Sequence, residues 1–133
     1  MSKFKTSQKL IGMFLVVCLA VVGLFSICAN AAATKGKYAE LDGHCIYYAD
    51  INQQLASASA KNISTVSKYI TVSLKDGNYN TLCSQSGAVG VGNYINSGGY
   101  EVSAYSTVKA YCVVYNSASP STGTAEILQK TLK

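Results

Sequence analysis

The pattern of apolar and polar side chains divides the chain into one long apolar stretch and a following series of short segments with a period of two. From Leu10 to Cys28 no charge interrupts the apolar run, which predicts a helix long enough to cross a bilayer. Beyond it, His44–Ala49 is short and rich in aromatic and β-branched residues, which predicts a strand. Residues 55–60 alternate alanine with serine, so that Ala56, Ala58 and Ala60 share one face. That strict alternation predicts a strand, although alanine is also the best helix former. From Val66 to Leu74 the residues Val66, Ile70, Val72 and Leu74 line one face, and Ser67, Tyr69, Thr71 and Ser73 the other. Lys68 is the misfit on the apolar side, close enough to a strand end to snorkel.

Turn signals separate these segments. Asp76-Gly77 follows directly and predicts a type I′ hairpin turn with positive φ at its central residues. Gly87–Gly99 carries five glycines and reads as a loop broken by a short piece around Gly92–Ile95, with Gly98-Gly99 as a second turn. From Tyr100 to Tyr115, Val102, Ala104, Val108, Ala110, Cys112 and Val114 fall on one face, opposite Ser103, Tyr105, Thr107, Lys109, Tyr111, Val113 and Tyr115. This is long for one strand, so a bend at Ser106-Thr107 is expected, giving two shorter strands or one that crosses between sheets. A loop around Pro120 precedes Thr124–Leu132, an edge strand or short terminal helix. The pattern predicts an all-β fold, a small antiparallel β-sandwich of Ig-like architecture preceded by an N-terminal signal helix. The absence of tryptophan leaves only the architecture, since an Ig-family core packs one on its disulfide.

Flanking residues decide what the apolar stretch is for. Lys3, Lys5 and Lys9 precede it, and Ala29-Asn30-Ala31 and Ala31-Ala32-Ala33 follow. Basic, apolar and small-residue zones in that order predict a secretory signal over residues 1–33, cut after Ala31 or Ala33, and a secreted product. The alternative is an uncut anchor, with the rest of the chain again facing outside. Cys18 and Cys28 follow Val17 and Ile27, so the small residue that a lipid-modified cysteine requires is missing. Residues 34–43 read as a flexible lead-in and 44–133 as a single β-sandwich domain.

Losing the leader removes three of the 11 lysines and none of the six acids, leaving a net charge of only +2. With so small a charge and no arginine, the chain lacks a nucleic-acid footprint, and no DNA or RNA partner is expected. Of the five cysteines, Cys45, Cys83 and Cys112 remain. An oxidising compartment permits one disulfide among them, with one thiol left to be buried or to cross-link two chains.

The leader, the Ala/Ser alternation at 55–60, Lys75-Asp76-Gly77 and the Gly-Tyr-Glu-Val-Ser-Ala-Tyr-Ser run at 99–106 resemble small secreted β-sandwich proteins of Gram-positive bacteria. Size, export and strand pattern over residues 55–115 also resemble, distantly, the lactococcin 972 type of bacteriocin. That likeness implies a secreted β-sandwich acting on cell-wall synthesis. The chain departs from it in lacking tryptophan and in carrying three cysteines after the leader, so no functional residue is carried over.

Candidate chemistry is sparse. His44 is the single histidine, and strand geometry points it and its neighbour Cys45 to opposite faces, which excludes a thiol–imidazole pair. Asp42 shares its face, but no nucleophile is tied to either. Asp76-Gly77-Asn78-Tyr79-Asn80 opens like a calcium loop, then fails at Thr81 and Gly87 where glycine and the bidentate glutamate belong. Asn62-Ile63-Ser64 fits a glycosylation sequon and is given no role. No catalytic residue, cofactor or metal is assigned, and a non-enzymatic role is expected. The best candidate is a binding face formed by Tyr105, Lys109, Tyr111 and Tyr115, suited to a cell-envelope glycan or another protein. The alternative role is structural, an assembly linked through the odd cysteine.

Overall fold

In the computed structural model, residues 25–27, 33–121 and 123–133 are described, and they contain no helix. The strands are β1 (Phe25–Ile27), β2 (Thr34–Lys35), β3 (Ala39–Tyr48), β4 (Gln53–Asn62), β5 (Lys68–Asp76), β6 (Thr81–Val89), β7 (Tyr94–Asn96), β8 (Tyr100–Glu101), β9 (Val108–Tyr115) and β10 (Thr124–Thr131). Every pairing is antiparallel. In the first sheet β3 and β4 form the centre, with β1 and β2 sharing the outer side of β3, and β7 and β8 sharing that of β4. The second sheet has the order β10-β9-β5-β6. The fold is all-β, in two antiparallel layers, consistent with a β-sandwich. The helix expected for the leader lies outside the described residues, apart from Phe25–Ile27, which pair as strand with Ile46–Tyr48.

The core forms where the inward sets of the two sheets meet. From the first sheet come Ala39, Leu41, Cys45, Ala56, Ala58 and Ala60; from the second come Ile70, Val72, Leu74, Val108, Ala110, Cys112 and Val114. The alanine face of β4 is thus a true strand face, its short side chains allowing the opposite sheet to approach. Gly43 belongs to the same close contact, since a β-carbon there would stand 3.0 Å from Leu132 Cδ2 and 3.1 Å from Ala110 Cβ. Lys68 is buried on the apolar side as expected. Its ammonium escapes at the strand end, donating to Asn116 O at 3.1 Å and lying 4.7 Å from the Tyr38 ring.

Four expectations need correction. Residues 34–43 are not a flexible lead-in: β2 and the start of β3 occupy them, because Ala39 and Leu41 extend the inward parity of Gly43 and Cys45 and are fully buried. Val66 lies before β5 and is exposed, so it does not join Ile70. The glycine-rich stretch is strand up to Val89, and its short piece is Tyr94–Asn96. Gly77 does not take positive φ; Tyr79 does, at 63°, so the connection is a longer turn than type I′. Of the two forms foreseen for residues 100–115, the first is found, two shorter strands, and they lie in different sheets: β8 pairs in the first and β9 in the second. The terminal segment is the edge strand.

Candidate functional site

The alternation that sends Ile70, Val72 and Leu74 inward sends Tyr69, Thr71, Ser73 and Lys75 outward. Their β9 neighbours are Lys109 opposite Lys75, Tyr111 opposite Ser73 and Val113 opposite Thr71. On β10, Ile127, Gln129 and Thr131 stand beside Val113, Tyr111 and Lys109. These residues form one continuous outer face of the second sheet. Tyr69 and Tyr115 meet edge to face, with ring centroids 5.7 Å apart at 72°, a favourable aromatic geometry. Ile127 is 53% exposed, an open apolar position beside the rings.

At the turn end of this face, two lysines lie over two tyrosines. The Lys75 ammonium is 5.0 Å from the Tyr111 ring centroid and the Lys109 ammonium 4.1 Å from that of Tyr79, both within cation–π range. Lys109 also donates to the Tyr79 hydroxyl at 3.0 Å, and that hydroxyl donates to Gln129 Oε1 at 3.3 Å. The Lys109 ammonium therefore holds the Tyr79 phenol below its ordinary pKa, first through the hydrogen bond and then through its charge. Lys75 donates to Thr81 Oγ1 at 3.0 Å. Tyr79 itself sits in the turn at positive φ, 63°.

Three of the four residues expected to form a binding face, Lys109, Tyr111 and Tyr115, are indeed on one surface. Tyr105 is not. The chain leaves the first sheet after Glu101 and enters the second at Val108, so strict alternation is lost between them. Tyr105 instead packs against the core, its ring 6.5 Å from that of Tyr100. Sequence reasoning missed Tyr69, Lys75 and Tyr79. The parity of residues 66–74 had already placed Tyr69 outward, and only strand order was lacking to set it beside Tyr115.

The remaining candidates are dispersed. His44 is exposed on the outer face of the first sheet, with Nε2 3.2 Å from Ser57 Oγ. The Asp42 carboxylate accepts the Gly43 N–H at 2.8 Å instead of addressing the imidazole. Asp76 is spent within its turn, accepting from Asn78 N, Asn80 N and Asn80 Nδ2 at 2.8, 2.9 and 3.0 Å; these bonds hold its carboxyl below the usual range. Among the described residues, no three His, Cys, Asp or Glu side chains converge.

None of Cys45, Cys83 and Cys112 is in a disulfide, which corrects the expected bridge. Cys83 pairs with Leu74 on one side of β5, while Cys112 pairs with Val72 on the other. Two strand spacings of about 4.8 Å separate them, beyond the roughly 7 Å Cα limit of a disulfide. Cys45 faces the core from the opposite sheet.

Compared with known proteins, the chain matches no family model and no curated protein.

Proposed function

We propose that the chain is an exported, non-enzymatic β-sandwich of Ig-like architecture that binds a cell-envelope component or another protein through the outer face of its second sheet. The three-zone leader supports export. The observation that carries the binding role is the surface itself, with Tyr69, Tyr111 and Tyr115 on adjacent strands, Tyr79 at the turn, and Lys75 and Lys109 fixed over two of the rings. Tyrosine offers a large contact area with few torsions to freeze, so rigid tyrosine faces suit both sugar stacking and protein contact. The likeness to lactococcin 972-type bacteriocins makes growth inhibition at the envelope one form this binding could take.

The test is co-sedimentation of the protein with insoluble envelope fragments, comparing the wild type with a Tyr69→Ser, Tyr111→Ser, Tyr115→Ser triple variant. Loss of sedimentation in a variant that retains its β circular dichroism is the expected result. Undiminished sedimentation would refute the face.

One observation favours the structural alternative. Cys83 is only half-buried and lies on the edge strand β6, where a second chain could reach it. A dimer on non-reducing electrophoresis that disappears in Cys83→Ser would support that reading.

A further inference from the structure

We propose that Lys75 and Lys109 form an anion-binding centre, and that the ligand of this face is a glycan bearing anionic groups. The proposal rests on the binding role given above and narrows it to one ligand chemistry.

The first observation is the register. Lys75 and Lys109 are direct cross-strand partners on one face, which puts their β-carbons about 5 Å apart. Like charges placed directly opposite destabilise a sheet. Neither lysine has a carboxylate partner among the described residues; their contacts are Tyr111, Thr81 and the Tyr79 carbonyl for Lys75, and Tyr79 for Lys109. The rings attenuate the repulsion without neutralising it, because a π face lowers a cation's energy but carries no net charge.

The second observation is where the acids are. Asp76, the nearest in sequence, is locked in the turn by Asn78 and Asn80. Glu126 turns to the inner side of β10 and accepts the Lys37 and Tyr38 amides at 2.7 and 2.9 Å. Glu40, Asp42 and Glu101 fall on the outer parity of the first sheet, and Asp50 lies in the turn after β3. The outer face of the second sheet thus carries two cations and no Asp or Glu among its described residues.

The third observation is what surrounds the pair. The Tyr79 hydroxyl and the Gln129 amide lie beside Lys109, and Thr81 lies beside Lys75. An ammonium has three donors, and Tyr79 takes one from Lys109, so donors remain for an anion seated between the two lysines. Tyr111 and the Tyr69–Tyr115 pair, whose rings are inclined at 72°, continue along the same outer face and offer aromatic contact to sugar rings. An extended peptide would call for pockets or an open backbone edge, whereas Lys75 and Lys109 lie on the two central strands, away from the edges β6 and β10. Aromatic area and an uncompensated cation pair on one face together select a glycan with anionic substituents.

The test measures binding of the full chain to three soluble probes at low and high salt: dextran, dextran phosphate of equal size, and poly-glutamate. Dextran phosphate should bind, weaken with salt, and lose roughly tenfold affinity for each of Lys75→Gln and Lys109→Gln. Lys75→Arg and Lys109→Arg should restore it, which separates a charge effect from misfolding. Equal binding of plain dextran, or indifference of dextran phosphate to both Gln variants, overturns the anion centre while leaving the tyrosine face standing. Tighter binding of poly-glutamate overturns the glycan in favour of an acidic peptide. Loss of envelope sedimentation in neither the lysine nor the tyrosine variants would remove the binding face altogether.

Discussion

At the scale of single residues, Asn62 shows how a short motif acquires its meaning from burial. Its side chain is fully buried and makes four hydrogen bonds, donating to Val66 O and Val89 O and accepting from Ser64 N and Ser64 Oγ. The Asn-Ile-Ser match is therefore an internal clamp holding the β4–β5 connection to the end of β6, and its amide is not presented for glycosylation in the folded chain. Asn62→Ala would strand the buried Val89 carbonyl and release the part-buried Ser64 amide and Val66 carbonyl, and the expected cost is about 3 kcal/mol. Urea denaturation measures it, and a loss below about 1 kcal/mol would refute the clamp. The thiols divide in the same way. Burial, with Glu126 adding its charge, pushes the Cys112 thiol up to about 12 from an ordinary value near 9. A raised folded pKa stabilises below the unfolded value and loses that contribution as pH rises toward the folded one. Stability should therefore fall between about pH 9 and 12, and Cys112→Val should flatten that fall in a pH series of melting temperatures. Of Cys45, Cys83 and Cys112, only the half-buried Cys83 should take up a thiol-reactive dye at neutral pH, with that labelling lost in Cys83→Ser.

At the scale of elements, alternation was legible wherever a strand kept one face in the core. The Ala/Ser segment and the inward set of β5 and β9 follow directly from parity. What parity could not give was partner choice: nothing in residues 69 and 115 states that their strands are adjacent, and nothing in 34–43 states that a polar, lysine-bearing stretch hides two buried side chains. The turn after β5 was misread for a physical reason. Asp-Gly is the I′ signature only in a two-residue loop, whereas here the Asp76 carboxylate gathers the amides of Asn78 and Asn80 and moves the left-handed residue on to Tyr79. Two glycine substitutions test this. At Gly77 φ is not positive and an added β-carbon would meet Thr107 Cβ at 3.3 Å, so Gly77→Ala should cost less than about 1 kcal/mol. Gly98 has φ 80°, and Gly98→Ala should cost more, about 1–2 kcal/mol, despite open space around it. The reverse order in thermal melts would reinstate the tight turn.

At the scale of the whole molecule, net charge conceals how the charges are distributed over the two sheets. Residues 34–133, with a net charge of only +2, look indifferent to polyanions, yet their charges are unevenly shared between the two outer faces. The first mixes Glu40, Asp42 and Glu101 with Lys35 and Lys61 on its outer parity, whereas the second has Lys75 and Lys109 and no acid among its described residues. The number of charges was plain in the sequence; their segregation needed strand order and register, because parity within a strand does not say which strands share a sheet. An isocharge rearrangement separates the two quantities. Lys75→Gln combined with Ser59→Lys keeps the net charge and moves one cation to the outer side of the first sheet, opposite Asp42. If net charge governed adsorption, a phosphate-bearing cation exchanger would retain both proteins equally. If the local field governs it, the rearranged protein should elute at lower salt, because only charges within about a Debye length of 8–10 Å act together on one bound anion. The ion pair that the added lysine makes with Asp42 would contribute little stability at the surface, so a change in retention with unchanged melting temperature assigns adsorption to the Lys75–Lys109 pair.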